Sequence, residues 1–371
     1  MTIDVEITVS ERYSEGARER QEALCCPIDY DHSLLALLPQ EIIERDYGCG
    51  DPSRYVRPGD VVLDLGSGGG KICYMAAQLV GEGGQVIGVD MNDDMLALAR
   101  KHQAAMADRL GSDRVRFIKG YIQDLALDID ALGNYLAANP VRQTADYTAL
   151  KTWEQRQRRD APMIPAASVD LVISNCVLNL VADDHKPQLV KEIYRVLRPG
   201  GRVAISDIVS DRAVPQSMKQ DPDLWSGCIS GAFEESEFAN AFATAGFSGI
   251  CYDKWDPQPW QVIEDITFRS VTLTAVKPAV DTQLAGDRSL MYRGPFAAVI
   301  DDSGRHFERG VHESVSADDH RLLLDAAYGD AFIDLTNTAA ANPAASCCAG
   351  PESVSGAQDG RQATSHGSCC S

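Results

Sequence analysis

Between residues 61 and 210 the chain alternates short apolar runs with stretches of helical period. "VVLDLG" (61–66) is an apolar run ending in the glycine cluster "GSGGGK" (66–71). "ICYMAAQLV" (72–80) then carries a helical apolar pattern, and "QVIGVDM" (85–91) returns to strand character. "NDDMLALARKHQAAMADRLG" (92–111) opens on capping residues, keeps a helical period and stops at a glycine, which predicts one helix. "VRFIKGY" (115–121), "SVDLVISN" (168–175) and "RVAISDIVS" (202–210) supply three more strands, with a helix over "HKPQLVKEIYRVLRPGG" (185–201) ending in a Pro-Gly-Gly stop. Strands alternating with helices predict an α/β fold: a doubly wound, mostly parallel sheet with helices on both faces. Such a sheet binds ligands outside the carboxyl ends of its strands, where strand order reverses.

The flanking regions divide by pattern. Residues 1–60 read as an N-terminal helical segment, and 61–280 as the main domain, closed by the helix "ESEFANAFATAGF" and strands such as "ITFRSVTLTAV". Residues 126–167 interrupt that domain. Their charged "KTWEQRQRRDAP" predicts a solvated helical hairpin, with a lid or a subunit contact as the alternatives. Residues 281–335 read as strand, turn, strand and helix in a small C-terminal domain. The tail, 336–371, is rich in Ala, Gly and Ser without apolar period and is expected to be disordered.

Composition narrows the function. A formal charge of −20 argues against nucleic acid and anionic membranes as partners, because phosphate binding needs a basic face. No apolar run is long enough to span a bilayer and no secretory h-region opens the chain, so a cytoplasmic location is expected. In that compartment the 11 cysteines read as thiols, ligands or redox groups and not as a disulfide framework.

A glycine-rich turn after a first strand is common among nucleotide-binding proteins. "GSGGGK" lacks the Gly-Lys-Ser/Thr of a P-loop, and Lys71 stands where a dinucleotide fingerprint ends in Gly or Ala. Asp90, closing the second strand, suits an acceptor for ribose hydroxyls. "LDLGSGGG" followed by "GVDM" about 20 residues on resembles the first motif and acidic partner of class I S-adenosylmethionine-dependent methyltransferases, a Rossmann-like fold. That resemblance implies a cofactor site at Asp64, Gly66, Ser67, Gly68, Asp90 and Met91, with Ile122 of "GYIQDL" against the adenine and Asn175 at the tip of the fourth strand. It also puts Cys176 of "SNCVLNL" beside the transferable methyl. Read alone, Cys176 is equally a small core residue or a ligand.

Its companions point to a ligand. Cys49 in "DYGCGDP" and Cys228 in "LWSGCISGAF" sit in glycine-flanked loops, which offer little apolar packing. No CxxC pair suggests a zinc knuckle, yet three loop cysteines can converge at one sheet end, and thiolates suit a thiophilic centre. Cys73 and Cys251 lie within apolar patterns and read as structural.

"YGCG", "LDLGSG", "SNCVLNL", "LRPGG", "LW-x-x-C" and "YRGPF" occur in the order that identifies the chain as similar to arsenite methyltransferases, from about residue 20 to about 335. The resemblance implies that Cys49, Cys176 and Cys228 bind trivalent arsenic as a trithiolate, and that Cys25 or Cys26, with Cys26 preferred, forms a disulfide relay with Cys49. It further implies arsenite and methylarsenite as substrates in the form of thiol conjugates, thioredoxin or glutathione as reductant, and a monomer. The biological role would be detoxification or organoarsenical biosynthesis. Three departures stand out: Lys71 and Ile72 replace an Arg-Asp pair, "LWSGC" replaces "LWGEC", and the relay cysteine lies closer to "YGCG". The pairs in "SCCAG" (346–350) and "HGSCC" (366–370) either capture arsenite or are incidental. The alternatives weighed are a C- or O-methyltransferase of a small organic molecule with structural cysteines, and an arsenic-binding sensor, against which the cofactor motif counts.

Overall fold

A computed structural model describes residues 5–21, 28–279, 288–325, 328 and 330–336. Nine strands build the main sheet: β1 (Val61–Leu65), β2 (Gln85–Asp90), β3 (Val115–Lys119), β4 (Val169–Asn175), β5 (Leu197–Ser210), β6 (Phe233–Glu234), β7 (Ser248–Trp255), β8 (Gln261–Ile263) and β9 (Ile266–Val276). Their order is β3-β2-β1-β4-β5-β9-β7, with β6 on β5 and β8 on β9. The first five pair in parallel, while β9 runs antiparallel to β5, β7 and β8. The order reverses between β1 and β4, so their carboxyl ends, Leu65 and Asn175, frame the crevice where this topology binds ligands.

Both faces of the sheet are covered, which is why its central strands read as nearly unbroken apolar runs. Leu63, Leu65 and Val172 face a cluster with Leu189, Val190 and Ile193 of the helix Lys186–Val196 and with Phe238 and Phe242 of Glu235–Thr244. Val62, Leu171 and Ile173 point the other way, onto Ile72, Tyr74 and Met75 of the helix Lys71–Val80 and Leu96 of Asp93–Lys101. Each such fully buried side chain contributes roughly 1.5–3 kcal/mol.

The helix Val5–Arg18 lies across the carboxyl end of the sheet and is pinned at both sides. Asn92 Nδ2 donates to Ser10 O and Ser14 Oγ, and Arg18 pairs with Asp94 at 2.8 Å. On the other flank Arg12 donates to Asp223 O and Ser226 Oγ. Residues 129–138 and 144–160 form two helices that meet through a Tyr135–Trp153 stack at 4.6 Å. The chain from 288 to 334 forms a three-stranded and a two-stranded antiparallel sheet around Leu290, Tyr292, Phe307, Val315, Leu323 and Phe332. Among the described residues no helix is long and apolar enough to cross a membrane.

Three expectations need correction. The helix predicted over 92–111 breaks at His102, where the chain restarts as Gln103–Leu110. "LRPGG" is not a helix tail: the helix ends at Val196, and Leu197 already has extended backbone as the first residue of β5. Cys251, read as structural, is exposed, because β7 is the edge strand of the sheet and its outward positions meet solvent.

Candidate active site

The crevice at the strand-order reversal opens into a cleft. Asp64, Gly66, Ser67, Gly68, Asp90, Met91, Ile122, Asn175 and Cys176 all line it, as does Ile72. The turn after β1 needs glycine: Gly66 has φ +71°, and a Cβ there would collide with Val177. Asp90 organises the loop that follows, accepting from Gly68 N and Asn92 N at 2.8 Å each. Burial raises the Asp90 carboxyl above its usual range. Burial likewise pushes Asp64 up to about 8, only partly offset by the Cys73 thiol that donates to it at 3.2 Å. Ser67 Oγ is buried with no hydrogen-bond partner among the described residues. Lys71 turns away from the cleft, paired with Asp46 at 2.5 Å and lying 3.8 Å above the Tyr30 ring.

Three cysteines gather at one edge of this cleft, although 127 residues separate Cys49 from Cys176 and 52 separate Cys176 from Cys228. They lie in one apolar cluster with Ile208, Met218 and Phe268. Cys49 is held by Asn175, whose Oδ1 accepts from Cys49 N (2.9 Å) and Gly50 N (3.0 Å) while Nδ2 donates to Gly50 O (2.9 Å) and Tyr30 OH (3.2 Å). Both glycines of "YGCG" are dictated by this embrace. A Cβ on Gly48 would strike the Asn175 amide, and one on Gly50 the Ser206 hydroxyl. Cys176 and Cys228 have φ +59° and +63°, in the left-handed region that side chains disfavour by roughly 1–2 kcal/mol. Strained backbone of this kind clusters at functional sites.

Cys49 is joined to Cys176 by a disulfide, with Cα atoms 5.8 Å apart. Cys25 and Cys26, expected in a relay with Cys49, lie outside the described residues, as do the paired cysteines of the tail. Cys228 Sγ donates to Cys176 O at 3.2 Å. Asn175 borders the cleft as expected of a lining residue, and both ends of its amide also hydrogen-bond to the Cys49 loop and Tyr30.

Three further groups at this edge escaped the sequence reading. Asp207 on β5 has a carboxylate oxygen within 4.8 Å of the sulfurs of Cys49 and Cys176. Its Oδ1 accepts from Ile208 N and Asn179 Nδ2 at 2.8 Å each, yet burial still pushes the carboxyl up to about 7. Asn179, the last polar residue of "SNCVLNL", also donates to Cys228 O (3.4 Å) and so ties β5 to the Cys228 loop. Tyr13, from the N-terminal helix, brings its hydroxyl to 4.0 Å from Cys228 Sγ. Burial, and then that sulfur, hold its phenol well above the usual range. Nothing local in the sequence marked Asp207 or Tyr13.

A methyltransferase-domain family matches residues 57–246, and a domain family of unknown function matches 280–364. An arsenite methyltransferase of Aquipseudomonas alcaligenes is 30% identical over 321 residues, covering 81% of this chain and 80% of the relative. The chain belongs to the arsenite methyltransferase family. A second family member, from Halobacterium salinarum, is 35% identical over 63% of this chain and 51% of its own length. The crystal structure of an arsenic(III) S-adenosylmethionine methyltransferase from Chlamydomonas reinhardtii aligns with TM-score 0.56 at 30% identity, covering 83% of this chain and 96% of that one. The protein is thus an S-adenosylmethionine-dependent arsenite methyltransferase of class I fold. Its departures from the family pattern have local counterparts. Ile72 gives the cleft an apolar wall, and Ser226, within "LWSGC", receives Arg12 from the N-terminal helix.

Proposed function

We propose that this enzyme methylates trivalent arsenic held as a thiolate complex by Cys49, Cys176 and Cys228, with Cys25 or Cys26 passing oxidising equivalents on to an external thiol. One observation carries the reading: three cysteines from distant segments meet at the edge of the cofactor cleft. The Cys49–Cys176 disulfide supports the redox half of it.

The residues of the cleft fit S-adenosylmethionine. Ser67 Oγ, buried without a partner among the described residues, is a polar atom in want of a ligand, and Asp90 offers a carboxylate at the end of β2. Gly66 and Gly68 bring backbone close, and Ile122 gives an apolar wall. When bound, the sulfonium supplies an electrophilic methyl whose leaving group departs neutral. Arsenic bound to three sulfurs keeps a lone pair that attacks this methyl, so no general base is needed and positioning supplies most of the rate. Transfer forms a C–As bond, breaks a C–S bond and oxidises arsenic by two electrons. Two thiolates return those electrons by closing a disulfide. A dithiol such as thioredoxin, or two glutathiones, reopens it and leaves oxidised.

Arsenite and methylarsenite are delivered as thiol conjugates and exchange onto the cysteines. Incubating the purified protein with arsenite, S-adenosylmethionine and thiol, then separating arsenic species, should yield methylated arsenicals. No methylated product from a protein that binds S-adenosylmethionine in titration would overturn the reading.

A further inference from the structure

The Asp207 carboxylate has no part in a trithiolate complex of arsenic, yet it faces the same two sulfurs. Three donor atoms from three segments, the loop before β1 (Cys49), the tip of β4 (Cys176) and β5 (Asp207), lie within 4.8 Å of one another and all three residues are buried. Oδ1 of Asp207 is taken up by Asn179 and Ile208, whereas Oδ2 accepts a long 3.4 Å bond from Asn179 N, and the Leu178 amide also faces the carboxylate. One carboxylate oxygen is therefore oriented by its neighbour's hydrogen bonds and left able to bind something else.

We propose that, when the Cys49–Cys176 disulfide is open, Cys49, Cys176 and Asp207 bind a divalent cation of the zinc type, at a site overlapping that of the substrate.

The donor set is what separates this ligand from arsenic. Trivalent arsenic takes three sulfurs and leaves a lone pair, so it selects Cys228. A borderline cation accepts mixed thiolate and carboxylate donors in a tetrahedron and leaves its fourth position to water or to Cys228. Tetrahedral Zn–S bonds of about 2.3 Å put two sulfurs roughly 3.8 Å apart. The opened cysteines reach that by side-chain rotation, since their Cα atoms stand 5.8 Å apart. The preceding redox step balances: a dithiol reductant gives two electrons and becomes its own disulfide, and each cysteine gains one proton. Cation binding then displaces both protons to solvent. Asn179 fixes Asp207 from behind, as outer partners fix ligands in metal sites. The consequence is a competitor for the arsenic cup that uses a different third ligand, and this holds whatever substrate the cup takes.

The test uses the full-length protein, reduced and kept anaerobic, with one equivalent of Zn²⁺. Alkylation of each cysteine by iodoacetamide is followed by peptide mass mapping, so that thiols elsewhere in the chain are scored separately. Zinc should slow modification of Cys49 and Cys176 about tenfold or more in the wild type and in Cys228→Ser, and Asp207→Asn should lose most of that protection. Equal protection in Asp207→Asn, or protection confined to other cysteines, would overturn the proposal. Should Asp207→Asn fail to fold, Co²⁺ bound to the single variants Cys49→Ser, Cys176→Ser and Cys228→Ser gives an independent reading. The thiolate charge-transfer band should drop in the first two and persist in the third; a drop only in the third overturns the site.

Discussion

Asn175→Ala tests how the cysteine centre is held. The Asn175 carbonyl satisfies two buried amides, Cys49 N and Gly50 N, and its NH₂ satisfies Gly50 O. Truncation leaves three buried backbone groups without partners, each worth about 1–3 kcal/mol. Water entering the space left by the amide recovers part of this, so a net penalty of about 2–4 kcal/mol on the poised loop is expected. The loop can shed that penalty by swinging away from β4, because Gly48 and Gly50 flank Cys49 and leave it few anchors of its own. A 2 kcal/mol bias lowers the poised population roughly 30-fold. On the proposed trithiolate reading, methylation of arsenite, which needs Cys49, should fall by about that factor. Methylarsenite exchanges only two ligands and should be far less affected. Initial rates on both substrates, at saturating S-adenosylmethionine and excess thiol, give the comparison. Equal loss on the two substrates would refute the loop argument and mean that Asn175 serves the cofactor side of the cleft instead.

The same valence logic sorts the cysteines: Cys49→Ser should abolish methylation of arsenite but spare that of methylarsenite, whereas Cys176→Ser and Cys228→Ser should abolish both, as read by arsenic speciation. Asp90→Ala should weaken S-adenosylmethionine binding about tenfold or more in isothermal titration, since a charged acceptor worth roughly 1.5–3 kcal/mol per bond is lost and Gly68 N is released; unchanged affinity would remove Asp90 from the site. Asp64 and Asp207 are raised to about 8 and about 7, so the native state holds protons that the unfolded chain releases above the ordinary carboxylate range. Their contribution is therefore complete below about pH 4 and is lost as pH rises toward 7–8, with a slope of up to about 1.4 kcal/mol per unit for each group. Urea midpoints at pH 5, 6 and 7 for wild type and Asp207→Asn should show a shallower fall in the variant; parallel lines would contradict this.

What the sequence made legible, and what it hid, follows from how local each signal is. The alternation of apolar runs from 61 to 210 is local, and β1 to β4 and the body of β5 fall where the pattern puts them because strands buried on both faces must be apolar throughout. "YGCG" was legible as a loop cysteine, but the reasons for its glycines are distant in sequence: the Asn175 amide for Gly48 and the Ser206 hydroxyl for Gly50. The Cys49–Cys176 pairing was hidden for the same reason: it depends on how the segment before β1 is drawn over the tip of β4. Asp207 was hidden more deeply, since a single acid inside an apolar strand carries no period and no spacing. Its meaning comes only from the parallel register of β4 with β5, in which Asn175 sits beside Ser206 and so brings the residue after each, Cys176 and Asp207, to the same edge. Tyr13 shows the limit from another side. Its helix is weakly amphipathic in sequence, and what gives it a place is a set of polar ties to Asn92 and Ser226 at opposite flanks of the cleft. Periodicity reports which face of an element is buried; it says nothing of which polar groups wait across a gap. The active site is assembled mostly from such groups, and for that reason its cysteines could be named from the sequence while the residues that orient them could not.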